Sequence, residues 1–408
     1  MSPQALTRSA RLYPLYAPIQ APFWLPVFFL YFSQHMPIAQ VLRLEAIYYV
    51  AVVIFEVPSG YLSDTIGRRL TLIISSLSAI LAHTLFFVGD TFTTFAFAQI
   101  GLAAAVAFRS GTDTSFHYDI LKSLNREQEY ADREAQITRN VFIASAAAAL
   151  IGGLVSIYAL RIAYGLSLLG ACIALAIVLL FAEPDRDAKN TSQGIVSQIG
   201  ACLAYLQKPT LGWLMLFSVF MTVINHIPYE FYQPYFQLFE GQSTAPTPLL
   251  TGCHTALTMI IAAWFAKRSI QLRDRIGTRS TLMISAGIQT ILIVLMGIFL
   301  HPLVALVLSI RSSPRALMTA PLNAATVPRL QQNHRATYLS IQSLIGRLAF
   351  SGSLLILSTF TGTGIQADWP TLSHALHICA TFATVGCIIL VVTAILIPRS
   401  QWQLTSEQ

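Results

Sequence analysis

Charge is scarce in this sequence. Only 11% of its 408 residues are Asp, Glu, Lys or Arg, while 55% are hydrophobic and the mean hydropathy is +0.62. Soluble domains carry about 25% charged residues, so this chain has too little charge to cover a water-exposed surface of its size. It reads as a polytopic membrane protein with the lipid bilayer as its solvent. Cysteine is scarce too. Cys172, Cys202, Cys253, Cys379 and Cys387 show no C-x-x-C spacing, and four of them fall in apolar runs. That pattern offers neither a disulfide framework nor a metal site. No phosphate-binding glycine loop, no H-E-x-x-H and no nucleophile with a nearby base is present. ATP drive and enzymatic chemistry therefore find no support, and no cofactor is expected. The net charge of +7 makes no case for nucleic acid, because the bases are spread over many short loops. A cleavable signal is also missing. Arg8 and Arg11 precede a run too long and too aromatic for one, so the first apolar run is expected to stay as an anchor.

What the chain does have is long apolar runs. A span needs about 20 residues, and the sequence predicts twelve: 15–36, 39–63, 70–90, 93–118, 134–156, 160–182, 210–236, 248–268, 280–300, 302–327, 336–360 and 371–397. Of the 25 Lys and Arg, nineteen fall in loops on one side and only two, Arg43 and Arg161, on the other. Positive charge marks the cytoplasmic face, so both termini are expected there. Compactness and short loops point to a bacterial inner membrane, and a monomer is expected.

The stretch Gly60-Tyr61-Leu62-Ser63-Asp64-Thr65-Ile66-Gly67-Arg68-Arg69 lies between spans two and three. The second helix is expected to end near Ser63 and the third to begin near Leu70. Gly67 can turn the chain with positive φ. Gly60, one turn before Asp64, leaves a bare helix face for close packing. This spacing resembles the loop 2–3 signature of the major facilitator superfamily of secondary transporters, and all of its fixed positions are met.

The resemblance implies an all-α fold of two pseudo-symmetric six-helix bundles around a central cavity, which expose it alternately to each side. It also implies a charge network at the turn. Asp119, closing span four, would pair with Arg68 or Arg69, leaving Asp64 to meet the start of span eleven. Such a contact would latch the two halves at the cytoplasmic side.

Internal repetition agrees with two halves. Asp64 to Arg69 matches Asp274-Arg275-Ile276-Gly277-Thr278-Arg279, Arg109-Ser110 matches Arg311-Ser312, and Arg139 matches Arg347, in order and at similar offsets. The second turn carries Ile270 where the first has Gly60, so it is expected to pack less closely. The halves are predicted as residues 1–183 and 210–408. The polar stretch from Glu183 to Asn190 and an amphipathic helix near 195–206 would form the linker between them.

Ionisable residues inside spans are costly and mark function. Glu45 and Glu56 are eleven residues apart on span two and should face the same way. Glu56, poised above the turn, is a candidate proton carrier, or the partner of Arg109 in a structural ion pair. Arg109 and Asp113 are spaced to pair along one helix, with His117 on the same face; Asp113 is the nearest candidate proton carrier, or else the two merely neutralise each other. The resemblance adds that a mid-membrane arginine on span four is linked to proton transfer in proton-coupled antiporters. Span seven offers His226, Glu230 and Tyr232 beside Pro228 and Pro234, which should loosen the helix. His226 is a possible second proton site. Arg311 and Arg315 on span ten complete the cavity candidates.

Span five carries Gly152-Gly153 where related exporters keep a longer glycine–proline signature, here partly replaced by Ala148-Ala149. The expected function is proton-driven export of a small amphipathic compound or metabolite. Two alternatives stand beside it: proton-coupled uptake of a small solute, which Arg109, Arg311 and Arg315 would suit to an anion, and a non-transporting sensor or scaffold on the same fold.

Overall fold

In the computed structural model, residues 3–36, 38–184, 194–237, 247–358 and 369–402 are described. They form sixteen α-helices with short 3-10 turns and no strand among them. In chain order the helices are α1 (Pro3–Tyr16), α2 (Phe28–Ser33), α3 (Ile38–Ile66), α4 (Arg68–Val88), α5 (Phe92–Arg109), α6 (Thr112–Ser123), α7 (Tyr130–Val155), α8 (Arg161–Leu179), α9 (Ile195–Ala204), α10 (Pro209–Gln237), α11 (Thr247–Ile276), α12 (Thr278–Ile298), α13 (Pro302–Val307), α14 (Ser313–Thr326), α15 (Arg335–Ser358) and α16 (Trp369–Leu396). They build the twelve spans as two six-helix bundles. Among the described residues, eight helical stretches are long and apolar enough to cross a membrane by length and composition alone.

Three spans are not single helices, and the breaks have local causes. The first span was expected to start at 15; instead it begins with α1 and passes through two 3-10 turns before α2. Pro14, Pro18, Pro22 and Pro26 recur every four residues here, and each removes a backbone donor. Span four breaks between α5 and α6 because Gly111 takes a left-handed conformation (φ 70°). Span ten breaks between α13 and α14, at Arg311-Ser312. The Arg-Ser repeat of the sequence thus marks the same discontinuity in both halves. Span seven behaves in the opposite way. It was expected to loosen at Pro228 and Pro234, yet α10 runs unbroken through both. The carbonyl of Ile224, which Pro228 deprives of its helical donor, accepts instead from Gln289 Nε2 of α12 at 3.2 Å.

The loop 2–3 turn is tighter than the sequence suggested. Helix α3 continues to Ile66 and α4 starts at Arg68, leaving only Gly67 (φ 130°) between them.

The two halves meet along α3 against α15 and α7 against α11. Small residues let these pairs approach. A Cβ on Gly60 would sit 2.6 Å from Ser340 Oγ, and one on Gly153 would sit 2.6 Å from the Pro248 carbonyl of α11. Ala146, Ala149 and Ala256 continue the second seam, followed by Ala262, Ala266 and Ala316. Without a hydrophobic drive between lipid-soluble helices, such close contact is what holds them together.

Candidate functional site

The C-terminal end of α3 carries Asp64, which is buried. It caps α15, across the seam between the halves. Its carboxylate accepts from the backbone N–H of Thr337 at 2.8 Å and of Ala336 at 3.3 Å, and from Thr337 Oγ1 at 2.5 Å. A carboxylate there satisfies orphan donors and meets the positive end of the helix dipole. Gln198 Nε2 of α9 reaches the same carboxylate at 3.2 Å, and also the carbonyl of Asn333 and the Thr337 hydroxyl, both at 2.8 Å.

Arg68 ties this cap to the rest. Its guanidinium pairs with Asp64, donates to Asp119 Oδ2 at 3.3 Å and reaches the Gln332 carbonyl at 2.7 Å. Asp119 sits on α6, which runs past the expected end of span four to Ser123. It also pairs with Arg335 at the head of α15, whose guanidinium lies 4.3 Å from the Tyr118 ring centroid. Two acids and two bases are therefore buried together, and each links one half to the other directly or through a neighbour. Arg69, the alternative partner for Asp119, donates instead to the Leu179 carbonyl at 2.8 Å. Glu183 closes the turn from below: its two oxygens accept the backbone N–H of Arg68 and Arg69 at 2.7 and 2.8 Å, capping α4.

The second copy of the turn makes no comparable contact. Asp274 is exposed and pairs with its neighbour Arg273 at 2.6 Å. Gly277 turns the chain (φ 88°) with open space around it, and Arg279 is half-buried in the first turn of α12. Ile270 packs against Ala135 and Ala320.

His334 lies buried beside the latch, its Nδ1 3.1 Å from the Tyr205 hydroxyl. Burial pushes its pKa below the usual histidine value, against a weaker pull upward from Asp64. The folded chain therefore binds this proton less readily than the unfolded one. The contribution is complete above about pH 6.5 and is lost as the pH falls through that value. Thermal melts from about pH 8 to about pH 5 should decline in a way that His334→Gln flattens; an unchanged decline in the variant contradicts this.

A second polar site lies within the spans, about ten residues before the end of α3. Glu56 of α3 is fully buried. Its Oε1 accepts from Ser110 Oγ at 2.6 Å, and its Oε2 lies 3.8 Å from Arg347 Nε of α15. The partner expected from the sequence, Arg109, turns away and donates to Gln20 Oε1 of the first span at 2.8 Å. The break at Gly111 also removes the expected pairing of Arg109 and Asp113 along one helix. Asp113 now caps the start of α6, accepting from the Thr114 N–H at 2.7 Å.

Arg315 is enclosed by protein yet has open surface, so it faces a cavity; Arg109 and Arg347 are its charged neighbours. His226 is half-buried next to Arg315 and Arg347, its Nδ1 2.6 Å from the Thr222 carbonyl and its ring 4.5 Å from Phe350. Glu45 is half-buried toward the other end of α3 and does not share the closed setting of Glu56. Arg311, expected in the cavity, is buried against α11, where it donates to Thr258 Oγ1 at 3.0 Å. The side chains of Glu230 and Tyr232 lie outside the described residues.

Sequence reasoning missed several partners. Arg335 looked like one more loop base. A cation at the head of a helix is repelled by the dipole, and that was the available signal for a neighbouring acid. Glu134, on α7, accepts from Asn323 Nδ2 of α14 and contacts His117 Nδ1, both at 3.0 Å, and so bridges the halves.

The model of the Major Facilitator Superfamily matches residues 21–354. A comparison with curated proteins found no match. Among solved structures the chain is similar to the human organic anion transporter MFSD10 (TM-score 0.71, 14% identity, covering 96% of this chain and 100% of that one). It is similar also to the E. coli fucose:proton symporter FucP (0.69, 14%, 94% and 98%). A third is the nucleoside transporter NupG (0.67, 12%, 94% and 99%). At these identities the likeness is one of fold.

Proposed function

The chain belongs to the Major Facilitator Superfamily and is a membrane transporter rather than an enzyme, and from that premise we propose that it moves a small molecule by proton-coupled alternating access. The observation that carries this reading is Glu56: a carboxylate closed off from water, within ion-pair reach of an arginine from the opposite half. Such a group exchanges a proton when the seam between α3 and α15 rearranges, and it loses or regains its counter-charge in the same movement. The network of Asp64, Arg68, Asp119 and Arg335 serves as the cytoplasmic gate in this scheme. The division into halves at residues 184–209 and the cytoplasmic placement of both termini, in a bacterial inner membrane, belong to the same proposal.

Proton-driven export was the expected function, although Ala148-Ala149 replaces part of the exporters' signature that Gly152-Gly153 keeps. Both glycines have a packing role that is independent of direction. A Cβ on Gly152 would meet the Phe23 carbonyl at 2.0 Å, and Gly153 crosses α11. A specific observation bears on the second reading, uptake of an anion: among the described residues, the charged neighbours of Arg315 are Arg109 and Arg347. Vesicles of both orientations test the proposal, with a pH-sensitive dye and a panel of organic cations, organic anions and sugars. Discharge of an imposed pH gradient by a panel compound, in wild type and not in Glu56→Gln, is the expected result. Discharge in acid-loaded inside-out vesicles shows export by exchange. Entry of compound and proton together into right-side-out vesicles shows uptake. Equal discharge by the variant would sink the role of Glu56.

A further inference from the structure

Three guanidinium groups converge halfway across the membrane: Arg109 at the end of α5, Arg315 on α14 and Arg347 on α15. Two of them have an acid in reach. Arg347 lies 3.8 Å from Glu56, and Arg109 is in the electrostatic neighbourhood of Asp113. Arg315 differs. Among the described residues it has no ion pair and no side-chain hydrogen bond, and its charged neighbours are the other two arginines. Its surface is nonetheless exposed within the protein.

An arginine at the bilayer centre costs about 2.5–3.5 kcal/mol on insertion scales, and more by other estimates. Two further cations beside it raise that cost. A guanidinium also cannot escape by losing its proton, and it presents a planar fork of donors that matches a carboxylate or a phosphate. This arrangement has the charge and the donor geometry to take an anion.

We propose that the cavity between the two halves is a receptor for a small organic anion, a carboxylate or a phosphate ester, which docks on Arg315 between Arg109 and Arg347 and crosses together with a proton. The second part rests on the proton-coupled reading above. An anion seated between the arginines competes with Glu56 for Arg347. Glu56 then faces the closed seam without its counter-charge, and its neutral form is favoured. One proton from the side of entry binds a Glu56 oxygen, the anion binds the arginines, and both leave on the other side. For a monoanion no net charge moves. By linkage the proton tightens anion binding as much as the anion tightens proton binding. Among the described residues, the other titratable groups around the arginines are Tyr16, Glu45, Tyr48, Asp113 and His226.

Calorimetric titration of the full-length protein in nanodiscs tests this. The probes are lactate, succinate, inorganic phosphate and glycerol 3-phosphate, with glucose and choline as controls. Binding should be confined to anions, and the carboxylate and phosphate arms tell the two chemistries apart. Arg315→Gln should weaken binding by about tenfold or more, the loss of one charge-assisted contact, while Arg315→Lys keeps part of it. Arg109→Gln, on a different span, should weaken the same anions. The receptor is overturned if no anion binds, if glucose or choline binds as well as the anions, or if both glutamine variants bind at wild-type strength. In weakly buffered solution, binding should take up about one proton per anion in wild type and none in Glu56→Gln. Anion binding without proton uptake would leave the receptor standing and overturn the coupling it is joined to.

Discussion

Asp119→Asn should open the seam between the two halves at the latch. The carboxylate it removes is shared by Arg68 and Arg335, one from each half, and all three side chains are almost completely buried. Removing one member of a buried charge set costs about 3–5 kcal/mol, because the remaining charges keep their desolvation without their partner. Here two cations would be left facing each other. Opening the seam hydrates both, so that cost falls on the closed state alone. The closed-to-open ratio should drop by more than about a hundredfold. Maleimide labelling of a cysteine placed at Ser340, which is buried against Gly60 in the closed seam, should rise accordingly, with insertion into the membrane unchanged. Asp274→Asn is the matched control. That carboxylate is exposed and pairs only with its neighbour Arg273 among the described residues, so its loss should change stability and gating by less than about 0.5 kcal/mol. Equal labelling in wild type and Asp119→Asn would remove the latch from the account.

Glu56→Gln should separate movement from its energy source. Glutamine has nearly the same shape and can keep the hydrogen bond from Ser110, so packing at this position should survive. It cannot carry the proton, and it gives Arg347 no counter-charge. Accumulation of a transported compound against its gradient, driven by pH, should fall to background. Exchange of labelled for unlabelled compound at equal concentrations should persist, since that half-cycle needs no change in protonation. Parallel loss of both activities would mean that Glu56 shapes the cavity or the seam without acting as the proton site.

How much of this was legible in the sequence depended on whether the cause was local. Span number and the Gly67 turn follow from composition and from a motif whose residues lie close in the chain, whereas the pairing of Asp119 with Arg68 or Arg69 was implied only by the family resemblance, and the structure shows Arg68. The break at Gly111 was not legible, because a glycine in an apolar run reads equally as a packing residue, and only the backbone shows φ 70°. That break displaced two expectations at once. It ended the pairing of Arg109 with Asp113, and it let Ser110 turn toward Glu56. The prolines of α10 misled for the complementary reason: the donor that repairs the gap, Gln289, is 65 residues away. Arg347 was visible as an intramembrane charge. Its partner was not, since α3 and α15 meet only in the folded protein. Arg311 and Arg315 look alike in sequence, four residues apart, yet one is buried against Thr258 and the other faces the cavity.

The central claim is that the buried carboxylate of α3 and the latch at the end of the same helix change state together. The most direct test is a distance measurement between spin labels at Lys122 and Gln271, exposed positions on the latch side of the two halves, in a cysteine-free background. Wild type and Glu56→Gln would be compared at one pH. With Arg347 deprived of its partner, the variant should show a larger population at the longer, open distance. Identical distributions in the two proteins would contradict the account, because the proton site and the gate would then be independent.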